Sequence, residues 1–221
     1  MSYETRGGEH VARDAENADD VNGLNDAGGL PDTDGLHDTD GLNDAAGPGG
    51  TDGLDDVHKG IAAFTALADS SVYIVTAVAD GQRAGCLVGF ASQCSLEPVR
   101  FAVWLSKANH TYRLALAATT LAVHQLPRDR HDLAERFGSL CSDRTDKFAG
   151  LPLAEGPGGA LVLSDSLTWF VGRIHDRCDG GDHVAFLLDP IAAHAPPPDS
   201  PETDSPLTLH DAGDITAGHP A

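Results

Sequence analysis

Between Ser71 and Leu188 the chain is a succession of short runs rich in β-branched residues, cut apart by Gly, Pro and Asp, and this spacing commits it to a mainly β fold. Ser71–Ala79 (SVYIVTAVA) predicts a strand that ends in the turn Ala79-Asp-Gly-Gln82. Arg83–Cys94 and Val99–Ser106 predict two more, and Leu121–Leu126, Ala160–Leu163, Leu167–Arg177 and His183–Leu188 complete the set. Helical spacing recurs at Val57, Ile61, Phe64 and Leu67 behind a cap at Asp55 or Asp56. Asn109–Ala118 and Arg128–Phe137 read as two further helices. Seven or so short strands with few helices predict a closed or nearly closed antiparallel barrel carrying its helices outside.

Only the middle of the chain has the composition to build that barrel. The formal net charge is -20, and residues 1–53 hold 13 acidic against 2 basic residues. Asn17 to about Asp56 is a loose repeat of Gly, Asp, Asn and Leu, too poor in aromatic and β-branched residues to offset ordering entropy. Residues 1–53 are therefore expected to be a disordered acidic tail. Residues 195–221, opening APPPDSPETDSP, are expected to be a second one, and the folded domain spans 54–194. Asp32, Asp34, Asp38, Asp40 and Asp44 alternate around Gly35 and Gly41, but the acidic residue that closes a helix–loop–helix calcium site is missing, so no metal site is expected.

The acidic balance disfavours nucleic acid and anionic lipid alike. No apolar run is long enough to span a bilayer and the first twenty residues lack an apolar core, so a cytoplasmic location is expected. Cys86, Cys94, Cys141 and Cys178 form no Cys-x-x-Cys pair and read as small core residues or free thiols.

Two adjoining segments carry the candidate chemistry. In Gly85–Phe101, small and hydroxyl residues (Gly89, Ala91, Ser92, Ser95) stand where a barrel strand normally holds Val or Ile. Small residues let a backbone approach a flat ligand closely, although a bulged edge strand without a ligand has the same composition. Ser106, Lys107, Asn109, His110 and Thr111 then precede or open a predicted helix. A helix N-terminus with Lys107 and Arg113 nearby suits a phosphate, and the same hydroxyls and amide also serve as helix caps.

Taken together, Gly89-Phe-Ala-Ser-Gln-Cys-Ser-Leu-Glu-Pro98 and Ser106-Lys-Ala-Asn-His-Thr-Tyr112 resemble the signature of the flavin reductase family. Asp132-Leu-Ala-Glu-Arg-Phe-Gly138, Asp146-Lys-Phe-Ala-Gly150 and Gly181-Asp-His183 follow in the family's order. The resemblance covers roughly residues 57–194. Val99 stands where the family carries a second Pro, and Ser92 where it commonly has Thr.

The resemblance implies an FMN-binding split β-barrel, antiparallel and of Greek-key type, with a few peripheral helices, working as a homodimer. It implies FMN (or FAD) as cofactor, with Ser92, Gln93 and Ser95 at the isoalloxazine and ribityl groups. Ser106, Lys107, Asn109 and Thr111 would hold the phosphate, and His183 would serve catalysis by orienting the nicotinamide of NADH or NADPH. Asp146-Lys147-Phe148 reads as either a packing anchor or a ligand set. The implied reaction is hydride transfer from NAD(P)H to flavin, with reduced flavin passed to a partner monooxygenase. The alternative is a flavin-, F420- or haem-binding split barrel without NAD(P)H turnover.

Overall fold

A computed structural model describes residues 51–140, 145–197, 205–213 and 215. The amino-terminal tail before Thr51, with its alternating aspartates, and Cys141 lie outside the described residues.

Seven antiparallel strands make one sheet: β1 (Tyr73–Ala79), β2 (Gln82–Val88), β3 (Ala91–Leu96), β4 (Val99–Ser106), β5 (Thr120–Gln125), β8 (Thr168–Asp179) and β9 (His183–His194). Their order across the sheet is β2-β1-β5-β8-β9-β4-β3. Between β5 and β8 a separate hairpin pairs β6 (Leu153–Glu155) with β7 (Leu161–Leu163) through a turn in which Gly158 and Gly159 have φ of 69° and 74°. The sequence reads Arg83–Cys94 as one strand. The structure breaks it at Gly89 and Phe90, so β2 and β3 become the two opposite edges of the sheet. A link of two residues bridges at most roughly 11 Å from Val88 to Ala91, so the sheet must curl until its edges nearly meet. The hydrogen-bonded ladder itself stays open, which makes the barrel split rather than closed.

Inside the curl lie Val75, Ala77, Ala84, Cys86, Val103, Leu105, Leu121, Val123, Phe186 and Leu188, capped by Leu114 and Ala115 of helix α2 (His110–Ala117). The opposite face of β1 is buried as well. Val72 and Ile74 pack with Leu126, Leu163, Phe148 and the Leu133, Ala134 and Phe137 face of helix α3 (His131–Ser139). α3 starts three residues later than the charge pattern predicts, because Arg130 N–H turns back to the Pro127 carbonyl at 3.0 Å before the helix begins.

The Asp146-Lys147-Phe148 motif belongs to this second layer as a packing anchor. Lys147 is buried and its Nζ donates to the carbonyls of Gly85 (3.1 Å) and Phe137 (2.9 Å), while the Phe148 ring meets Phe137 edge-on at 5.4 Å.

Composition predicts an extended tail from residue 195 onward, yet residues 205–213 return to the barrel. Leu207 is wholly buried; its N–H donates to the Leu126 carbonyl and its carbonyl accepts from Val72 N–H, both at 3.0 Å. The short helix α4 (Leu209–Ala212) follows, capped by Thr208 and tied down by Arg128 to Asp211 at 2.9 Å. Helix α1 (Thr51–Ala68) starts earlier than its Asp55 or Asp56 cap predicts, and Leu54, Val57, Ile61, Phe64 and Leu67 are all exposed. No helix of the described residues is long and apolar enough to cross a membrane.

Candidate functional site

The residues expected at the flavin ring lie on β3, the exposed edge of the sheet. Ser92 stands opposite Ala102 of β4, Gln93 opposite Phe101 and Ser95 opposite Arg100, and Cys94 is squeezed out of register between the last two pairs. The bulge leaves β3 twisted and its outer backbone edge unpaired within the sheet. Gln93 Nε2 donates to the Ser95 carbonyl at 3.1 Å, which braces the bulge.

β4 carries the geometry onward to the expected phosphate residues. Ser106 closes the strand opposite His183 of β9. The four steps from Ala102 to Ser106 cover roughly 13 Å, so ring strand and strand end are joined by one rigid ladder. At that end the chain turns a tight corner into α2. Lys107 N–H donates to the Asp182 carbonyl, Asn109 N–H to the Ser106 carbonyl, and Asn109 Oδ1 caps the helix by accepting from Thr111 N–H, each at 2.9 Å. Ser106 Oγ accepts from Ala108 N–H at 3.3 Å. Asn109 is thus the helix cap that its residue type predicts.

Electrostatics at the corner are set by Lys107. Its ammonium donates to both carboxylate oxygens of Asp179 at 2.8 Å, and Asp179 Oδ1 also accepts from Gly181 N–H at 2.9 Å. The Lys107 hydrogen bond, with Gly181 second, holds the Asp179 carboxyl below its usual range. Thr111 differs from its expected surface role. It shares the buried face of α2 with Leu114 and Ala115, and its side chain meets the Cys86 thiol. Behind it the Cys86 thiol is pushed up to about 11 by burial.

His183 sits across the ladder from this corner. Its Nδ1 lies 2.9 Å from Asp182 Oδ1, and its ring meets Phe90 edge-on with centroids 5.4 Å apart. That hydrogen bond to His183 is the first cause holding the Asp182 carboxyl low. Phe90 was not among the expected site residues, although an exposed Phe between Gly89 and Ala91 is a legible signal. The structure therefore brings Ser106, Lys107, Asn109 and His183 to one corner and strings Ser92, Gln93 and Ser95 along the adjoining edge. An ammonium, a helix N-terminus and small polar side chains form a donor set that suits a phosphate, so the residues fit the flavin that the resemblance implies.

A cavity of about 680 Å³ lies elsewhere, at the far end of β9, lined by Arg128, Arg130, Asp165 and His194 among others. Its guanidinium groups are already paired, Arg130 with Asp132 and Asp165, and Arg128 with Asp211.

Residues 67–216 match the flavin reductase like domain. The chain belongs to the flavin reductase-like family. Within that family, it is 27% identical over 124 residues to a ferric-chelate reductase (NAD(P)H) of Archaeoglobus fulgidus, covering 55% of this chain and 73% of that one. It is 30% identical over 118 residues to the reductase subunit HsaB of a flavin-dependent monooxygenase from Rhodococcus jostii, covering 53% and 59%. The fold superposes on a flavin reductase domain protein from Arthrobacter sp. FB24 with a TM-score of 0.58 at 21% identity, over 73% of this chain and 97% of the other. The family match reaches residue 216 and so takes in the returning segment with Leu207; it leaves out most of α1.

Proposed function

We propose that this flavin reductase-like protein is an NAD(P)H-dependent flavin reductase that binds FMN or FAD along β3 and β4. The supporting observation is the β4 ladder, which sets Ser92 opposite Ala102 and, four residues on, Ser106 opposite His183. Ring strand, phosphate corner and the one candidate nicotinamide residue thereby share a single rigid frame. A bound flavin supplies the chemistry that accepts hydride from a nicotinamide; the protein supplies position and electrostatics.

The residues of this chain divide that task. Ser92, Gln93 and the exposed backbone of β3 orient the polar edge of a flat ring, with Ser95 beyond the bulge. Ser106, Lys107 and the capped N-terminus of α2 attract the phosphate, and Asn109 keeps that N-terminus in shape. Thr111, buried on the inner face of α2, packs behind the corner and does not reach a phosphate there. Asp182 holds Nδ1 of His183 and leaves Nε2 to meet a nicotinamide amide.

The relation to reductase subunits of monooxygenases supports a role in supplying reduced flavin to a partner monooxygenase. Exposed Phe90, Leu96 and Val99 near the site, with the bare apolar stripe of α1, support a homodimer in which a second copy covers them. The deciding experiment mixes purified protein with FMN or FAD, records the visible spectrum, and adds NADH and NADPH in turn. Flavin bands that bleach on addition support the reductase. Flavin binding without nicotinamide consumption would leave only the binding module.

A further inference from the structure

We infer that Asp179 is a built-in competitor for the flavin phosphate, occupying Lys107 so that the corner holds flavin weakly enough to release it. The inference rests on the reading of Ser106, Lys107 and Asn109 as the phosphate site. Nothing in the reaction requires an acid at Asp179, yet the structure places its carboxylate on the ammonium that a phosphate would use. Both oxygens of Asp179 are 2.8 Å from Lys107 Nζ. The Gly181 N–H fixes the carboxylate from the other side at 2.9 Å, in a turn where Gly181 has φ of 114°. A side chain held by two partners does not swing aside freely. Asp182 adds a second negative charge beside the same lysine, its backbone carbonyl bonded to Lys107 N–H at 2.9 Å.

A phosphate entering this corner therefore either displaces Asp179 from Lys107 or shares the ammonium with it. In both cases the anion meets two carboxylates, and part of its attraction to Lys107 is cancelled. A reductase whose flavin leaves after reduction needs this kind of moderated grip, whereas a protein with a permanent cofactor gains nothing from it. The predicted consequence is confined to the phosphate. The isoalloxazine contacts along β3 lie roughly 13 Å away by strand length and are untouched.

The test compares FMN with riboflavin, which lacks the phosphate, using full-length wild type and the D179N, D179A and K107A variants. Asn at 179 still accepts from Gly181 N–H, so the turn is kept while the charge is removed; D179A repeats the charge removal without an amide. Because the pair is solvent-exposed, D179N and D179A are expected to tighten FMN binding by about two- to fivefold at low ionic strength, less at high salt. Riboflavin affinity is expected to stay unchanged. K107A is expected to weaken FMN binding, and adding D179N to it should bring no tightening. Unchanged or weaker FMN binding in both Asp179 variants, or equal tightening of riboflavin, overturns the inference. If K107A binds FMN as tightly as wild type, the phosphate site itself is misassigned and the inference falls with it.

Discussion

His124 donates through Nδ1 to the carbonyl of Ile74 at 2.9 Å from a site with no solvent exposure, while its Nε2 accepts from Leu163 N–H at 3.1 Å. The network assigns the tautomer, with the proton on Nδ1. One neutral imidazole thus joins β5 to β1 and to the β6–β7 hairpin. Burial pushes its pKa down from 6.5 to about 4. Because the folded value is depressed, the unfolded chain takes up the proton first as pH falls. The stabilising contribution is whole above pH 6.5 and is lost between there and pH 4, by up to about 3 kcal/mol. Below about pH 4 the carboxylates held low in the fold, Asp132 and Asp146 among them, extend the loss. Urea unfolding midpoints should fall steadily from pH 6.5 to 4.5, with the His124 resonance still that of a neutral ring at pH 5. A flat stability profile across that range would refute this account.

Leu207 should behave as a core residue although it sits in the Pro- and acid-rich end of the chain. Leu207→Ala is expected to cost about 2–5 kcal/mol, as for other fully buried leucines. Denaturant titration checks this; a change below half a kcal/mol would mean that residues 205–213 do not stay docked.

Asn109→Ala removes the side-chain cap of α2 and is expected to cost about 1 kcal/mol of stability. If the α2 corner also holds phosphate, FMN affinity should fall more than riboflavin affinity. Asn109→Ser, which restores a cap, should recover most of both. Equal loss of the two flavins would assign Asn109 to structure alone.

His183→Ala should leave FMN binding within about twofold and slow NADH oxidation by roughly 10- to 100-fold, the scale of a lost positioning contact. Stopped-flow bleaching of bound flavin separates the two effects. Unimpaired turnover would remove His183 from the reaction.

Much of this protein is legible in local sequence because local physics sets it. β-branched runs between turn residues mark most strands of the main sheet, though not β3 (ASQCSL), and the polar corner Ser106–Thr111 marks the start of α2, whose Asn109 cap the structure shows. The sequence also points to both halves of the candidate site and to His183. It misplaces Thr111, because hydroxyl chemistry at a helix start does not reveal which face of the helix is buried.

What the sequence by itself determined is therefore the mainly β class, the order of the elements and the residue types available to a phosphate and a flat ring. Only the tertiary structure decided that Gly89-Phe90 splits one apparent strand into the two edges of a split barrel, since pairing partners are chosen by the whole sheet. Only it brought Leu207 back between Val72 and Leu126, a pair of backbone hydrogen bonds and a burial that its polar flanks hide. The same is true of Asp179 and Lys107. Seventy-two positions apart in the chain, they meet because β9 places the end of β8 beside the end of β4, and Coulomb attraction acts on distance in space.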